Sequence, residues 1–306
     1  MRKFFNLILV SFILTSCQAQ QTELKLNLEK GKEYKQIIDS KATIIQDFNG
    51  QKMNTEMTTK RSMSYLVKVV NENDYEMEVK YDSLSMSMQL PQGTMEYSSE
   101  KNDEQDIYSM IFAGMKNNPF QITMTKSGKI TEIKNIELFF TSTFSKFSQI
   151  PESQMEQIKA LLIKAYGEKS FKGDIESVTA IYPDKSAVKG ESWEIKTKLE
   201  TAMSADMTTT YKYAESNSNY NLIVGDSKIT TADKDAYLEI NGMPLKFDLT
   251  GNRSSEIKVD KTSGWIIEAK INQDIQGDAY IKGNPQMPDG MKIPVVMKND
   301  MTLTNQ

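Results

Sequence analysis

Residues 65–81 read YLVKVVNENDYEMEVKY. Tyr75, Met77, Val79 and Tyr81 alternate with Glu76, Glu78 and Lys80, the period-two pattern of a strand that buries one face. Tyr65–Val70 is a second strand-like run. Asn71–Asp74 (NEND) between them is turn chemistry, because Asn and Asp side chains hydrogen-bond to their own backbone and tolerate tight bends. Strand, short polar turn and strand make an antiparallel hairpin.

The same grammar extends in both directions. Upstream, Leu24, Leu26 and Leu28 alternate with polar residues and Gly31 follows as a turn; strands are expected over 24–28, 34–48 and 53–63. Downstream, strands are expected at 84–90 and 94–98 around the turn Pro91-Gln92-Gly93. Two segments change period. Asp103–Met115 places Ile107, Tyr108, Ile111, Phe112 and Met115 at helical spacing behind Asn102 and Asp103, with Gly114 near its end. Pro151–Tyr166 does the same with Met155, Ile158, Leu161, Leu162 and Ala165, opened by Ser148 or Pro151 and stopped by Gly167. After Gly173 strands are expected at 178–182, 193–203, 207–213, 220–224, 227–231, 236–240, 245–258 and 265–281. Residues 285–294 (PQMPDGMKIP) read as a loop before a last strand, Val295–Leu303. The expected fold is mainly β: one large antiparallel curved sheet, or two half-barrel repeats, with the two amphipathic helices on its concave side. Residues 24–172 form a first β-rich half and 173–306 a second.

The halves share two strings. Lys30-Gly31-Lys32-Glu33-Tyr34 (KGKEY) matches Lys189-Gly190-Glu191-Ser192-Trp193 (KGESW), and residues 127–132 (SGKITE) match 263–268 (SGWIIE), in the same order. Either the chain is a duplication or a turn-then-strand grammar recurs. Gly31, Gly128, Gly190 and Gly264 are turn residues in both cases. KGxxY near the start, TxxGxI at Thr125–Ile130 and VKGESW at Val188–Trp193 resemble an uncharacterised family of Bacteroidota lipoproteins, a domain of unknown function. The resemblance covers nearly all of the mature chain, implies a shared fold and supplies no catalytic residue.

Composition removes whole classes of chemistry. The 306 residues contain no histidine and one cysteine, Cys17. An internal disulfide, a Cys/His zinc site and a Ser-His-Asp triad are therefore excluded. No GxGxxG or Walker string occurs, no metal or cofactor is expected, and the expectation is a non-enzyme. Removing residues 1–16 leaves 35 basic residues facing 41 acidic ones, a net charge of −6. No basic patch suited to nucleic acid is visible.

Methionine is abundant, 19 in the chain, with the pairs Met53/Met57, Met86/Met88, Met203/Met207 and Met287/Met291. Packing is the leading reading, an adaptable apolar cavity the second and Cu(I) ligation the third. Asp103, Glu104 and Asp106, like Asp233 and Asp235, lack Ca²⁺-loop spacing and read as a helix start and a turn. Glu132 and Glu268 would be the carboxylate pair if the halves were related, but alternation with Ile130 and Ile266 points them away from the core. Trp193 and Trp265, each just after a turn, read as caps on the sheet end or as the mouth of a cavity.

Cys17 carries the clearest assignment. Arg2 and Lys3 precede an apolar run from Phe4 to Leu14, too short to span a bilayer and matching a secretory leader. Leu14-Thr15-Ser16-Cys17 resembles the bacterial lipobox, which implies cleavage before Cys17 and acylation of its sulfur and its new N-terminus. Residues 17–23 then form a lipidated tether. Gln18-Ala19-Gln20-Gln21 lacks the Asp linked to inner-membrane retention and the acidic run linked to surface export. The expectation is an outer-membrane lipoprotein on the periplasmic face, binding an apolar ligand in a groove between sheet and helices, or a partner protein. The alternative is an envelope scaffold with a solid interior.

Overall fold

The computed structural model describes residues 21–306 except 102, 148, 201–203, 241 and 286; Cys17 and the leader lie outside the described residues. The strands are β1 (Glu33–Phe48), β2 (Gln51–Val70), β3 (Asp74–Leu90), β4 (Gly93–Ser98), β5 (Phe120–Thr125), β6 (Ile130–Lys134), β7 (Ser192–Glu200), β8 (Ser204–Ser216), β9 (Tyr220–Thr231), β10 (Leu238–Ile240), β11 (Met243–Asp260), β12 (Ile266–Ile281) and β13 (Met291–Thr304). They form one antiparallel sheet in the order β6-β5-β3-β2-β1-β13-β12-β11-β9-β8-β7, with β4 on β3 and β10 on β11. The sheet is open: β6 and β7 end the path without pairing. The NEND turn joins β2 to β3 as the sequence indicates, with Asn71 N donating to Asp74 O at 2.9 Å.

Expected strand breaks fall within continuous strands, and the one at 82–83 is a bulge on β3. Residues 53–63 and 65–70 are one strand, and so are 75–81 and 84–90; the β2–β3 register shifts at Ser62/Met63 and Val67/Val69. A bulge adds a residue without ending the ladder, so the alternation changes phase while the strand goes on. Met291–Pro294, expected as loop, belongs to β13. Pro294 pairs with Asp278 of β12 at a level where the β1 pairing has already stopped at Val295, so it lies where β13 has a single neighbour.

Two helices stand where expected, α1 (Ile107–Met115) and α3 (Glu152–Tyr166), and two more flank α3, namely α2 (Ile136–Phe144) and α4 (Glu168–Thr179). Asp106, not Asp103, caps α1, accepting from Ser109 N at 3.1 Å, and Asn102 lies outside the described residues. Pro151 occupies the N-cap position of α3. The strand expected at 178–182 is overturned: Val178 and Thr179 end α4, and Ala180–Tyr182 has no regular structure. Its β-branched, apolar run resembled a strand, but Phe171, Ile175 and Val178 lie at helical spacing and are buried.

The helices cover part of one face of the sheet. Tyr75, Met77, Val79 and Tyr81 of β3, Met63, Tyr65 and Val67 of β2, and Phe120, Ile122 and Met124 of β5 meet Ile111, Phe112, Met115, Phe139, Phe171 and Ile175 in one core. Rings interlock: Phe120 lies 5.6 Å from Phe139 and 4.9 Å from Phe171, both edge-on. Farther along the same face a second cluster comprises strand residues, including Met207, Ile229, Leu245, Leu249, Ile275, Ala279, Ile293 and Val295. Odd-numbered positions of β11 serve both clusters, Ile257 and Val259 the first and Leu245 and Leu249 the second.

Leu24, Leu26 and Leu28 are buried, as alternation predicts, but they belong to an extended strap and not to a sheet strand. Leu26 N donates to Lys126 O at 2.8 Å and Asn27 N to Ser263 O at 2.7 Å, so the strap spans the β5–β6 and β11–β12 turns. These turns hold the two SG strings. The two KG strings also do the same work: Gly31 N donates to Val67 O and Val67 N to Lys32 O, while Gly190 N donates to Tyr213 O and Tyr213 N to Glu191 O. Register shifts follow at Val67/Val69 and at Tyr213/Glu215.

Candidate functional site

Ile136, Phe139, Phe140, Thr143 and Phe144 recur at i, i+3, i+4, i+7 and i+8, the apolar stripe that builds α2. All five are buried. Phe147 and Ile150 continue the apolar surface through the short turn Ser145–Phe147, and α3 returns alongside with Met155 and Ile163. Between these segments runs a groove of about 740 Å³, lined by Ile136, Phe140, Phe144, Phe147, Met155 and Ile163. That volume falls in the range of small-ligand sites, and the lining is largely hydrocarbon.

The groove walls are set by ring contacts. Phe140 stacks on Phe144 at 5.9 Å and 15°, and Phe139 meets Phe140 edge-on at 5.0 Å. Lys159 Nζ sits 6.0 Å over the Phe144 ring and 3.0 Å from Glu156, one cation among the rim carboxylates Glu137, Glu152 and Glu168. The outer surface of the same helices is also apolar. Leu138 is 64% exposed and Leu161 50%, and Ile163 of the groove wall is itself 50% exposed. Leu161 and Ala165 therefore leave the buried stripe of α3, which comprises Met155, Ile158 and Leu162.

The groove lies between helices, not between sheet and helices. At the sheet–helix interface near Leu26, Gln36, Thr179, Tyr182, Trp265 and Ile266 the space is about 10 Å³, room for about one water. Phe112, Phe120, Phe139, Phe171 and Tyr81 fill the rest of the layer. The sequence signal for α2 was present in its spacing. It was masked by a composition of Phe, Thr and Ile that suits a strand equally well.

The other candidates take structural positions. Trp265 is buried; its indole N–H donates to Lys35 O at 2.8 Å and its ring lies 5.3 Å from Tyr34 and 5.2 Å from Tyr65. Trp193 donates to Ile181 O at 3.0 Å beside Tyr211. Glu132 pairs with Lys134 at 2.9 Å, and Glu268 with Lys258 at 2.8 Å. Asp103 accepts from Gln105 N, and Asp233 from Asp235 N and Ala236 N, both closing local turns. Of the singled-out methionines, Met207 is buried in the second cluster. Met63, Met77, Met115 and Met124 are buried in the first, as gap-filling predicts.

Under α4 lies a charged core. Arg61 Nη1 donates to Asp174 Oδ2 at 2.8 Å, among Tyr65, Tyr81 and Tyr166. Burial lowers the Arg61 affinity for its proton, but Asp174 more than restores it; burial pushes all three phenols up.

Residues 72–266 match the model of a family of unknown function, DUF6263. The chain belongs to that family. The match includes the TxxGxI and VKGESW strings and the α2–α3 groove, and leaves out KGKEY. No curated protein matches the chain in sequence. Among solved structures, one described as lipid-protein interactions in lipovitellin superposes with a TM-score of 0.50 at 11% identity, over 92% of this chain and 25% of that one. This member of the family thus spans about a quarter of that protein, and the likeness is one of fold. An outer membrane channel from Pseudomonas putida F1 aligns over 91% of this chain and 97% of the other at 7% identity, with a TM-score of 0.24, too low to bear on the fold.

Proposed function

We propose that this chain is a lipoprotein of the bacterial envelope, held by acylated Cys17 at the periplasmic face of the outer membrane, that binds an acyl chain in the α2–α3 groove without catalysis. The groove carries the reading: about 740 Å³ bounded by Phe140, Phe144, Phe147, Met155 and Ile163, with charge confined to its rim. The LTSC string supports the anchor, and the lipid named for the lipovitellin structure supports the ligand class. Among the described residues no helix is long and apolar enough to cross a membrane, so a lipid anchor would supply membrane attachment where strands do not.

A second reading, an interaction scaffold, is favoured by Leu138, Leu161 and Ile163, exposed on the same helices. Native mass spectrometry of protein lacking residues 1–17, secreted to the periplasm, separates the two. Co-purified lipid supports the carrier; a ligand-free protein that captures an envelope protein through these side chains supports the scaffold. Replacement of Cys17 by Ser is expected to release the full chain from the membrane fraction. Unchanged membrane association would contradict the anchor.

A further inference from the structure

Arg253 stands on β11 on the helix-facing side of the sheet and is 6% exposed. Among the described residues no carboxylate lies within ion-pair distance of it. Its Nη1 reaches across β9 to Met207 Sδ at 3.7 Å. The cross-strand partner of Met207 on β7 is Thr197, whose Oγ1 is buried and has no hydrogen-bond partner among the described residues. Thr209 and Ser227, in register with Arg253, satisfy each other at 2.8 Å. The α4 helix closes over this corner: a β-carbon on Gly173 would lie 3.2 Å from Lys198 O, and neighbouring Asp174 is committed to Arg61 at 2.8 Å.

Arg61, Asp174 and Arg253 therefore leave one excess positive charge under the helix. A guanidinium taken out of water without an anion is expensive, and an orphaned buried hydroxyl adds to the cost. Burial lowers the proton affinity of Arg253, partly offset by Tyr211 and Asp174 at longer range, which fits a cation short of a counter-ion. Arg253 reaches Met207, Thr197 is the register partner of Met207 on β7, and Met207 belongs to the second apolar cluster with Leu245, Leu249, Ile275, Ile293 and Val295.

We propose that Arg253 and Thr197 form an oxyanion site, taking one carboxylate or phosphate group, with the neighbouring apolar cluster suited to a chain attached to it. A bidentate guanidinium–oxyanion pair would give Arg253 its missing counter-charge, and the same anion would accept from the unpartnered Thr197 hydroxyl. This site is separate from the α2–α3 groove, and it stands whether or not that groove holds lipid.

The test is calorimetric titration of the full chain in non-ionic detergent with octanoate, and separately with inorganic phosphate, for the wild type, Arg253→Met, Thr197→Val and the groove variant Phe144→Ala. The wild type is expected to bind at least one probe in a 1:1 ratio. Arg253→Met weakens binding at this site tenfold or more and Thr197→Val several-fold, whereas Phe144→Ala weakens only octanoate held in the α2–α3 groove and leaves phosphate binding unchanged. Octanoate alone identifies an amphiphile head; binding of both identifies a site for the oxyanion itself. Arg253→Met also removes an uncompensated charge, so its thermal midpoint without probe rises, which shows that the variant folds. Binding of neither probe, or equal binding by Arg253→Met, overturns the proposal.

Discussion

A β-carbon added to Gly264 would lie 2.1 Å from the carbonyl oxygen of Lys25. At this point the β11–β12 turn and the N-terminal strap therefore meet backbone to backbone, with φ of Gly264 at +68°. Gly264→Ala is expected to combine left-handed strain with a clash that no side-chain rotation relieves, costing about 3 kcal/mol. Gly31, at φ +79° with open space around it, is expected to cost about 1 kcal/mol when changed to Ala. Urea denaturation checks the order, and limited proteolysis checks the place: Gly264→Ala should expose the bonds at Leu24–Leu28, and Gly31→Ala should not.

Trp265→Phe removes the indole N–H that satisfies Lys35 O and leaves space beside Tyr34 and Tyr65. A loss of about 1–3 kcal/mol is expected. Trp193→Phe, which likewise removes the donor to Ile181 O, is expected to cost less, since Trp193 is only partly buried and has one ring contact, Tyr211, where Trp265 has two. Thermal midpoints of the two variants measure the difference.

Acid should loosen the N-terminus of α1 and the β11–β12 turn. Burial pushes Asp106 and Asp260 up, but hydrogen bonds outweigh it: Lys101 and Ser109 hold Asp106 below the usual carboxylate range, and Ser263 and Thr262 hold Asp260 there. A carboxylate depressed on folding contributes stability above its unfolded value of 3.8, and that stability is lost as pH falls through the lower folded value. Glu176 has the opposite sign. Burial raises it despite the Ile130 N–H, so its contribution falls as pH rises from 4.5 toward the folded value. The urea midpoint of Asp260→Asn should show a shallower decline below about pH 4, and Glu176→Gln should remove a decline above it.

The hairpin at residues 65–81, α1 and α3 were legible because their periods are regular and their turns carry Asn, Asp, Pro and Gly. Strand lengths were less so. The bulge at Asp82 of β3, opposite Ser62 and Met63, shifts the alternation from Tyr81 to Leu84, and a one-residue phase change reads like a turn. The strap shows the converse: Leu24, Leu26 and Leu28 have strand periodicity, yet their partners are turns far apart in sequence, which no local pattern reports. The groove was hidden because α2 is short and its Phe and Thr residues suit either state, while α4 buries Ser170, Gly173 and Ser177 where a stripe would carry larger apolar residues. Arg253 gave no signal, because one arginine in a polar run (GNRSSE, residues 251–256) looks solvated until the sheet buries it.

Filling the groove should block it without unfolding the sheet. Met155→Trp places a larger side chain into the open space beside Phe144, at a cost expected to stay below about 2 kcal/mol because the groove can receive it. Binding of a fluorescent acyl probe to this variant should fall at least tenfold relative to the wild type, with the far-ultraviolet circular dichroism spectrum unchanged.

The most direct measurement is photo-crosslinking of the full chain with a palmitate analogue bearing a diazirine at the end of its acyl chain, the adducts located by peptide mass spectrometry. Acyl binding between α2 and α3 predicts adducts on Phe140, Phe144, Phe147, Met155 or Ile163, competed away by unlabelled palmitate. Adducts confined to other surfaces, or labelling that unlabelled palmitate does not reduce, would contradict it.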